Sequence, residues 1–449
     1  MEPLTLAALV LTGALVLLVL RVPIAYCLGL AACIGLFLFF SWRPGMEFMP
    51  ERGIRPTISL IGSTTFAFVH NFPLSMIPLF VGLGHVCYKA RITTDLFDAL
   101  RVWLTRLPGG LAIASVAGCG GFSAVTGSSV ACASAMGRIA VPEMLRQGYS
   151  PRLAAGSVAA GGTLGSLIPP SLLFVIYAIF TEQSVKNLFL AGIVPGLLSL
   201  AGFVLTVLVW VRLKPADAPP VAEGFTRAER VEALGKLWPV VLLLALIVGG
   251  IYFGIFTPTE AAAVSLAAAI LIGMLRGALS LRDLWEAFDV TVRQTAMIFV
   301  IALGAKLFVS FISLTRVTPT VLDWIQSTGA GPLVVIAALV VFYLVIGMFL
   351  DSIGILVLTL PFTVPLMEGY GLDLVWFGVV VIKLLEIGLI TPPIGLNVFV
   401  IKACSPPSVT LEHVFRGVTW FLLLDFVVLL AILVFPALSL TIPAAAGDD

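Results

Sequence analysis

Charge is scarce in this sequence. Only 11% of its 449 residues are Asp, Glu, Lys or Arg, and 60% are hydrophobic. A soluble domain carries about 25% charged residues. A water-exposed fold with so little charge would show large apolar patches, so lipid is the consistent surrounding. Histidine is scarcer still. His70, His85 and His413 do not cluster, so no transition-metal site is expected. Cys27, Cys33, Cys87, Cys119, Cys132 and Cys404 sit mostly inside apolar runs and form no C-x-x-C pair. They read as small buried apolar residues. The formal net charge of +1 gives no footprint for nucleic acid. No G-x-x-x-x-G-K-S/T segment occurs, so the chain shows no P-loop for ATP. An ion gradient, or ATP hydrolysed by another chain, would have to supply energy.

What the sequence does have is long apolar runs. The start, Met1-Glu2-Pro3, lacks the basic stretch of a secretory signal, so the run from Leu4 to Leu20 reads as a first span. A bilayer core of about 30 Å needs about 20 apolar residues per helix. By that measure ten spans are predicted, near 3–20, 22–40, 72–89, 152–180, 188–211, 238–255, 258–275, 294–313, 374–401 and 415–438. Two further segments, 109–145 and 333–367, are too long for one span and are interrupted by small and polar residues. Each reads as a re-entrant hairpin. The fold class expected is an all-α polytopic membrane protein.

Lys and Arg concentrate at cytoplasmic ends of spans. With the N-terminus outside, the inside loops hold Arg21, Lys89, Arg91, Arg101, Arg106, Arg146, Arg152, Arg212, Lys214, Arg227, Arg230, Lys236, Arg276, Arg282, Arg293, Lys402 and Arg416. The outside loops hold only Arg43, Arg52, Arg55, Lys186 and Arg316, a bias of 17 to 5. Both termini are then periplasmic. The first hairpin opens to the cytoplasm and the second to the periplasm.

The sequence also repeats itself. A shift of 223 places Pro142 on Pro365, Met144 on Met367, Gly148 on Gly371, Gly165 on Gly388, and Pro169-Pro170 on Pro392-Pro393. Each half holds five spans and one hairpin, and an odd number of spans inverts the second copy. The expected organisation is a first inverted repeat over 1–211 with its hairpin near 109–147 and a cytoplasmic linker over 212–236. A second repeat follows over 237–449, with its hairpin near 333–368. Inverted repeats interrupted at matching positions point to a transport site near the bilayer midplane.

The interruptions are Thr126-Gly-Ser-Ser129, Gly161 to Pro170, Phe349-Leu-Asp-Ser352 and Glu386 to Pro393. Proline removes a helix hydrogen bond and clashes one turn back. Carbonyls freed at membrane depth need a partner other than lipid. A desolvated Na+ suits them, with Ser128, Ser129, Thr163, Ser352 and Thr391 adding hydroxyl oxygens. Helix starts after each break offer N–H groups and partial positive charge to a carboxylate. Gly161-x-x-x-Gly165 could alternatively serve only close helix packing.

Charges inside apolar runs are few. Lys383 and Glu386 lie three apart before the second Pro-Pro pair and are placed to pair with each other. Lys383 could instead neutralise a substrate carboxylate. Arg138 reads as an interfacial residue, and Asp351 as a cation ligand or a helix cap. Glu260 reads as an N-terminal cap, while Lys306 has no evident partner.

Together, Pro73 to Phe80, Leu107-Pro-Gly-Gly110, Thr126 to Ala131, Gly148-Tyr149, Gly162 to Ser171, Gly254 to Ala262 and Gly388 to Leu396 resemble the large membrane subunit of tripartite ATP-independent periplasmic (TRAP) transporters, the DctM type. The segments keep the family's order over nearly the whole chain. Thr126 stands where a serine is usual and Lys383 where an asparagine is common. The resemblance implies a Na+-coupled symporter of the bacterial inner membrane that works by an elevator motion between scaffold and transport domains. It implies a separate DctQ-type small membrane subunit and a periplasmic binding protein that delivers a small organic anion, such as a dicarboxylate, sialic acid, sugar acid or keto acid. Na+ would be held by Thr126, Gly127, Ser128, Ser129, Gly162, Thr163, Gly165, Gly347, Asp351, Ser352, Gly388 and Thr391. The substrate would meet Ser128, Ser166, Pro169, Lys383, Pro392, Gly395 and Asn397.

A passive channel fits less well, since paired hairpins with proline breaks suit occluded sites better than an open pore, and two further rival readings remain at this level. One is a stand-alone Na+/anion symporter needing no partner. The other, an intramembrane enzyme, would need a nucleophile–base set or metal ligands inside the spans, and no His/Asp/Glu cluster lies there. No catalytic residue is therefore expected.

Overall fold

The computed structural model describes residues 2–20, 22–220 and 224–447. Arg21, counted above among the inside charges, and 221–223 of the linker lie outside them. The described residues contain helices and no strand.

In the first half the helices are α1 (Pro3–Val19), α2 (Ile24–Ser41), α3 (Pro50–Val69), α4 (Met76–Lys89), α5 (Ile92–Leu104), α6 (Gly110–Thr126), α7 (Ser129–Arg146), α8 (Pro151–Leu167), α9 (Leu172–Thr181) and α10 (Val185–Leu213). The second half has α11 (Arg227–Gly235), α12 (Trp238–Leu244), α13 (Gly250–Tyr252), α14 (Pro258–Leu275), α15 (Leu281–Thr315), α16 (Val317–Ser327), α17 (Pro332–Gly347), α18 (Ser352–Gly369), α19 (Leu374–Ile390), α20 (Leu396–Cys404), α21 (Leu411–Val434) and α22 (Ala437–Ala446). A single π-helical turn, Ala245–Gly249, joins α12 to α13.

Both expected hairpins are present as paired helices, α6–α7 and α17–α18, broken where the small and polar residues fall. The spans expected at 152–180 and 374–401 are each two helices, α8 then α9 and α19 then α20, parted at the Pro-Pro pairs. Both Pro-Pro bonds, Pro169–Pro170 and Pro392–Pro393, are cis. Among the described residues, eight helices, counting 151–181 and 227–252 as one each, are long and apolar enough to cross a bilayer; a bent pair makes up to nine. Of the ten expected spans, those at α1 and α19 fall short at 17 residues each, while the eight include α18, expected instead as a hairpin arm. The bent pair is a correction to the sequence reading. Residues 50–69 form a full helix that meets Phe72–Lys89 at 59°. Arg52 and Arg55, expected in a loop, lie on that helix. The amphipathic α5, α16 and α11 were likewise not foreseen; α11 lies inside the linker.

The shift of 223 recurs in the helix bounds. Adding it to 129–146 gives 352–369, the bounds of α18, and adding it to 151–167 gives 374–390, the bounds of α19. The caps repeat as well. Ser128 caps α7 and Asp351 caps α18, while Ser150 caps α8 and Asp373 caps α19. Each supplies a side-chain oxygen to an otherwise unpaired N–H of the first turn.

Packing divides the helices into two groups. Around the almost wholly buried α8 stand α6, α7, α10, α19, α20 and α21. A second group joins α2 to α1, α3 and α15, and α4 to α14 and α15. The groups meet mainly through α4 with α6 and α9, and α15 with α18.

Candidate functional site

Each hairpin tip rests on a glycine of a broken helix. In the first half α6 ends at Thr126 and the chain turns through Gly127, whose φ is +61°. A Cβ there would lie 2.7 Å from the Pro170 carbonyl oxygen, so both backbone conformation and space require glycine. The Gly127 carbonyl accepts from the Leu172 N–H at 3.0 Å, tying the tip to the start of α9. Gly165 of α8 lies under the tip, and a Cβ on it would stand 2.7 Å from the Ser128 carbonyl. In the second half a Cβ on Gly388 of α19, the shift partner of Gly165, would likewise stand 2.7 Å from the backbone carbonyl carbon of Gly347. Asp351 accepts from the Gly354 N–H at 2.9 Å, which realises the cap, one of the two roles read for it from sequence.

A cavity of about 870 Å³ opens beside both tips. Of the residues singled out from sequence, Thr126, Gly127, Ser128, Ser129, Ser166, Asp351 and Ser352 line it. Gly165, Gly347 and Gly388 lie behind the tips. Gly162 packs against Ala133, where a Cβ would come within 2.8 Å. Thr163 donates to the Ala160 carbonyl and Thr391 to the Ile387 carbonyl, each at 2.6 Å. Their hydroxyl protons are thus spent within their own helices, and their lone pairs stay free. Pro169, Pro392, Gly395 and Asn397 belong to the breaks and do not line this cavity. Asn397 is fully buried, and neither its side-chain polar atoms nor the Ser352 hydroxyl has a partner among the described residues. Buried polar atoms are normally paired, so these mark places where something else completes the shell.

Lys383 is not at the cavity. Its ammonium ion-pairs with Asp425 of α21 and donates to the Ser199 hydroxyl of α10 at 2.9 Å. The pairing with Glu386 expected from their spacing does not form. Glu386 turns instead to the first hairpin, where its carboxyl accepts from the Ser129 hydroxyl at 2.6 Å. Ser129 and Ser166 are 2.8 Å apart. Asp425 went unnoticed in the sequence, although an acid inside the apolar run Phe421 to Leu430 was a usable signal.

Arg138, expected at an interface, stands in the cavity wall beside Tyr88 and Cys404. No carboxylate pairs with it among the described residues. The cavity mouth is edged by Lys89, which bonds Glu286 at 2.6 Å, and by His85, 3.0 Å from Gln294. Lys306 gains a partner that spacing did not reveal: its ammonium lies 5.3 Å from the centre of the Phe180 ring. Glu260 completes a capping box with Thr257, as its position suggested.

Comparison with known proteins agrees with this geometry. The family described as "Tripartite ATP-independent periplasmic transporter, DctM component" matches residues 11–438. The chain is 33% identical over 374 residues to the C4-dicarboxylate TRAP transporter large permease protein DctM of Pseudomonas aeruginosa, covering 83% of this chain and 86% of that one. It is 32% identical over 377 residues to the sialic acid TRAP transporter large permease protein SiaM of Vibrio cholerae, covering 84% and 87%. Among solved structures, the crystal structure of the Alcanivorax borkumensis YdaH transporter shares the fold with a TM-score of 0.63 at 15% identity, over 92% of this chain and 98% of that one. A multi-pass helical chain with paired hairpins and broken helices, matched over nearly its whole length, belongs to the DctM family of TRAP transporter large permeases.

Proposed function

We propose that this chain is the translocation subunit of a Na+-coupled secondary transporter that imports small organic anions across the bacterial inner membrane. A periplasmic binding protein delivers the anion, and a DctQ-type small membrane subunit completes the scaffold. The observation that carries the reading is the cavity beside the two hairpin tips, whose wall presents Arg138 without a carboxylate partner among the described residues. A carboxylate of the cargo supplies that partner through charge-assisted hydrogen bonds. The C4-dicarboxylate and sialic acid named for the relatives both carry such a group.

Na+ fits the tips. The backbone of each tip is pressed onto a glycine, and the Ser352 hydroxyl at the second tip has no partner among the described residues. Unwound segments of this kind coordinate Na+ in transporters built from inverted repeats. The halves 1–211 and 237–449 are read as those repeats, with both termini periplasmic. The helix group around α8 is the moving unit and the group around α2 and α15 the frame, as an elevator motion requires. Under the Lys/Arg orientation the cavity mouth at Lys89 and Glu286 is cytoplasmic, so this conformation faces inward.

The test is uptake into liposomes holding the chain with its small subunit, with candidate carboxylates offered with and without the binding protein. Accumulation that needs both an inward Na+ gradient and the binding protein is expected. Equal uptake with choline in place of Na+ would refute the coupling. Uptake by this chain alone would establish the stand-alone symporter instead.

A further inference from the structure

Glu386 is a buried carboxyl with no ion-pair partner among the described residues. It sits in the last turn of α19, is 1% exposed, and still forms part of the cavity wall. Oε2 accepts from the Ser129 hydroxyl at 2.6 Å, and Oε1 has no hydrogen-bond partner among the described residues. No charged group on the surrounding elements forms an ion pair with it among the described residues. Lys383, on the same helix, and Asp425 of α21 hold each other. Asp351 caps α18. Arg138 of α7 lies on Tyr88 and Cys404. Across the cavity Lys89 bonds Glu286, and His85 approaches Gln294. Arg293 holds Asp289 on their shared helix.

The local field adds to the imbalance. Glu386 lies at the C-terminal end of α19 and Ser166 at that of α8. Both are negative helix ends, which favour a cation. An ionised carboxyl buried at this depth without a positive partner is strongly disfavoured. The contact also joins the halves, since Ser129 starts the second arm of the first hairpin and Glu386 precedes the second Pro-Pro break.

We propose that Glu386, with Ser129 and Ser166, binds one monovalent cation, H+ or Na+, and that this cation holds the first hairpin's tip to the broken helix of the other half. The proposal rests on the transport reading and adds a site centred on the Glu386 carboxyl, which shares Ser129 with the Na+ set expected at the first tip.

Thermal unfolding of the full-length chain in detergent tests it, comparing the parent with Glu386→Gln. Each is melted at pH 6 and pH 8.5, in NaCl and in choline chloride of equal ionic strength. In choline the parent's Tm should fall between pH 6 and 8.5 by clearly more than the variant's. If Na+ takes the site, NaCl at pH 8.5 restores the parent, and the variant needs at least tenfold more NaCl for half of its response. If the proton alone takes it, NaCl restores nothing specific to the parent, and only the pH difference separates the two. Identical pH and NaCl responses in parent and variant would overturn the proposal while leaving Na+ at the tips intact. A parent blind to NaCl but more pH-sensitive than the variant would refute Na+ at the tips and keep Glu386. Should Glu386→Gln fail to fold, Ser166→Ala keeps the carboxyl and removes a neighbouring hydroxyl. It should change either the pH dependence of Tm or the NaCl midpoint, and a variant matching the parent in both would overturn the proposal.

Discussion

Lys383 of α19 and Asp425 of α21 form an ion pair whose side chains are 2% and 0% exposed, with Ser199 of α10 as a third member. Removing one partner strands the other charge, at a cost of about 3–5 kcal/mol, whereas replacing both with apolar residues of similar volume is often neutral. Lys383→Met should therefore lower the Tm in detergent strongly, and Lys383→Met with Asp425→Leu should recover most of the loss. A single variant as stable as the parent would contradict the buried pairing.

Gly165 and Gly388 hold the two hairpin tips at backbone contact. Alanine at either place puts a methyl 2.7 Å from a carbonyl carbon that belongs to the backbone and cannot swing aside. Overpacking of this kind costs about 1–3 kcal/mol. Gly165→Ala and Gly388→Ala should each raise the Na+ concentration giving half-maximal uptake, and Na+ titration of transport reads the effect. By contrast Gly62→Ala, with nothing near its Cβ, should leave that concentration unchanged.

Arg138 supplies the cavity's unpaired guanidinium. A charge-assisted hydrogen bond contributes about 1.5–3 kcal/mol, so Arg138→Ala should raise the half-saturating concentration of the transported anion roughly ten- to a hundredfold. Arg138→Lys should fall between, since it keeps the charge and loses the planar fork. Concentration dependence of uptake by the complex measures both. Parent-like kinetics in the alanine variant would remove Arg138 from the site.

Val130 lines the cavity and is 38% exposed. In a variant lacking Cys404, Val130→Cys should react with a membrane-impermeant maleimide added from the cytoplasmic side in the absence of Na+ and substrate. Faster labelling from the periplasmic side would reverse the assigned orientation of the cavity.

The apolar runs and paired Pro-Pro interruptions were enough to anticipate both hairpins, both broken helices and the repeat, because long runs and helix breakers act locally. The helix predicted at 258–275 occupies those residues. The helix at 50–69 escaped notice because Arg52, Arg55 and a run of Ser and Thr dilute its apolar character. Its membership of the bundle depends on neighbours that hydropathy does not see. The same holds at the site. Spacing put Lys383 and Glu386 on one helical face, but the choice between Asp425 and Ser129 as partners is made by helices 42 and 257 residues away in the chain. Which hydroxyls line the cavity and which sit behind the tips is likewise set by packing between halves.

The two hairpins match in sequence register and differ in what surrounds them. Nearly every residue of α6 is buried, while in α17 only Val335, Tyr343 and Gly347 are, and Leu333, Val334, Val341 and Val345 are at least half exposed. Acyl chains or another polypeptide must therefore coat α17. The thickness and fluidity of the bilayer then bear directly on the second hairpin and scarcely on the first, so membranes of different composition would act on the two hairpins unequally.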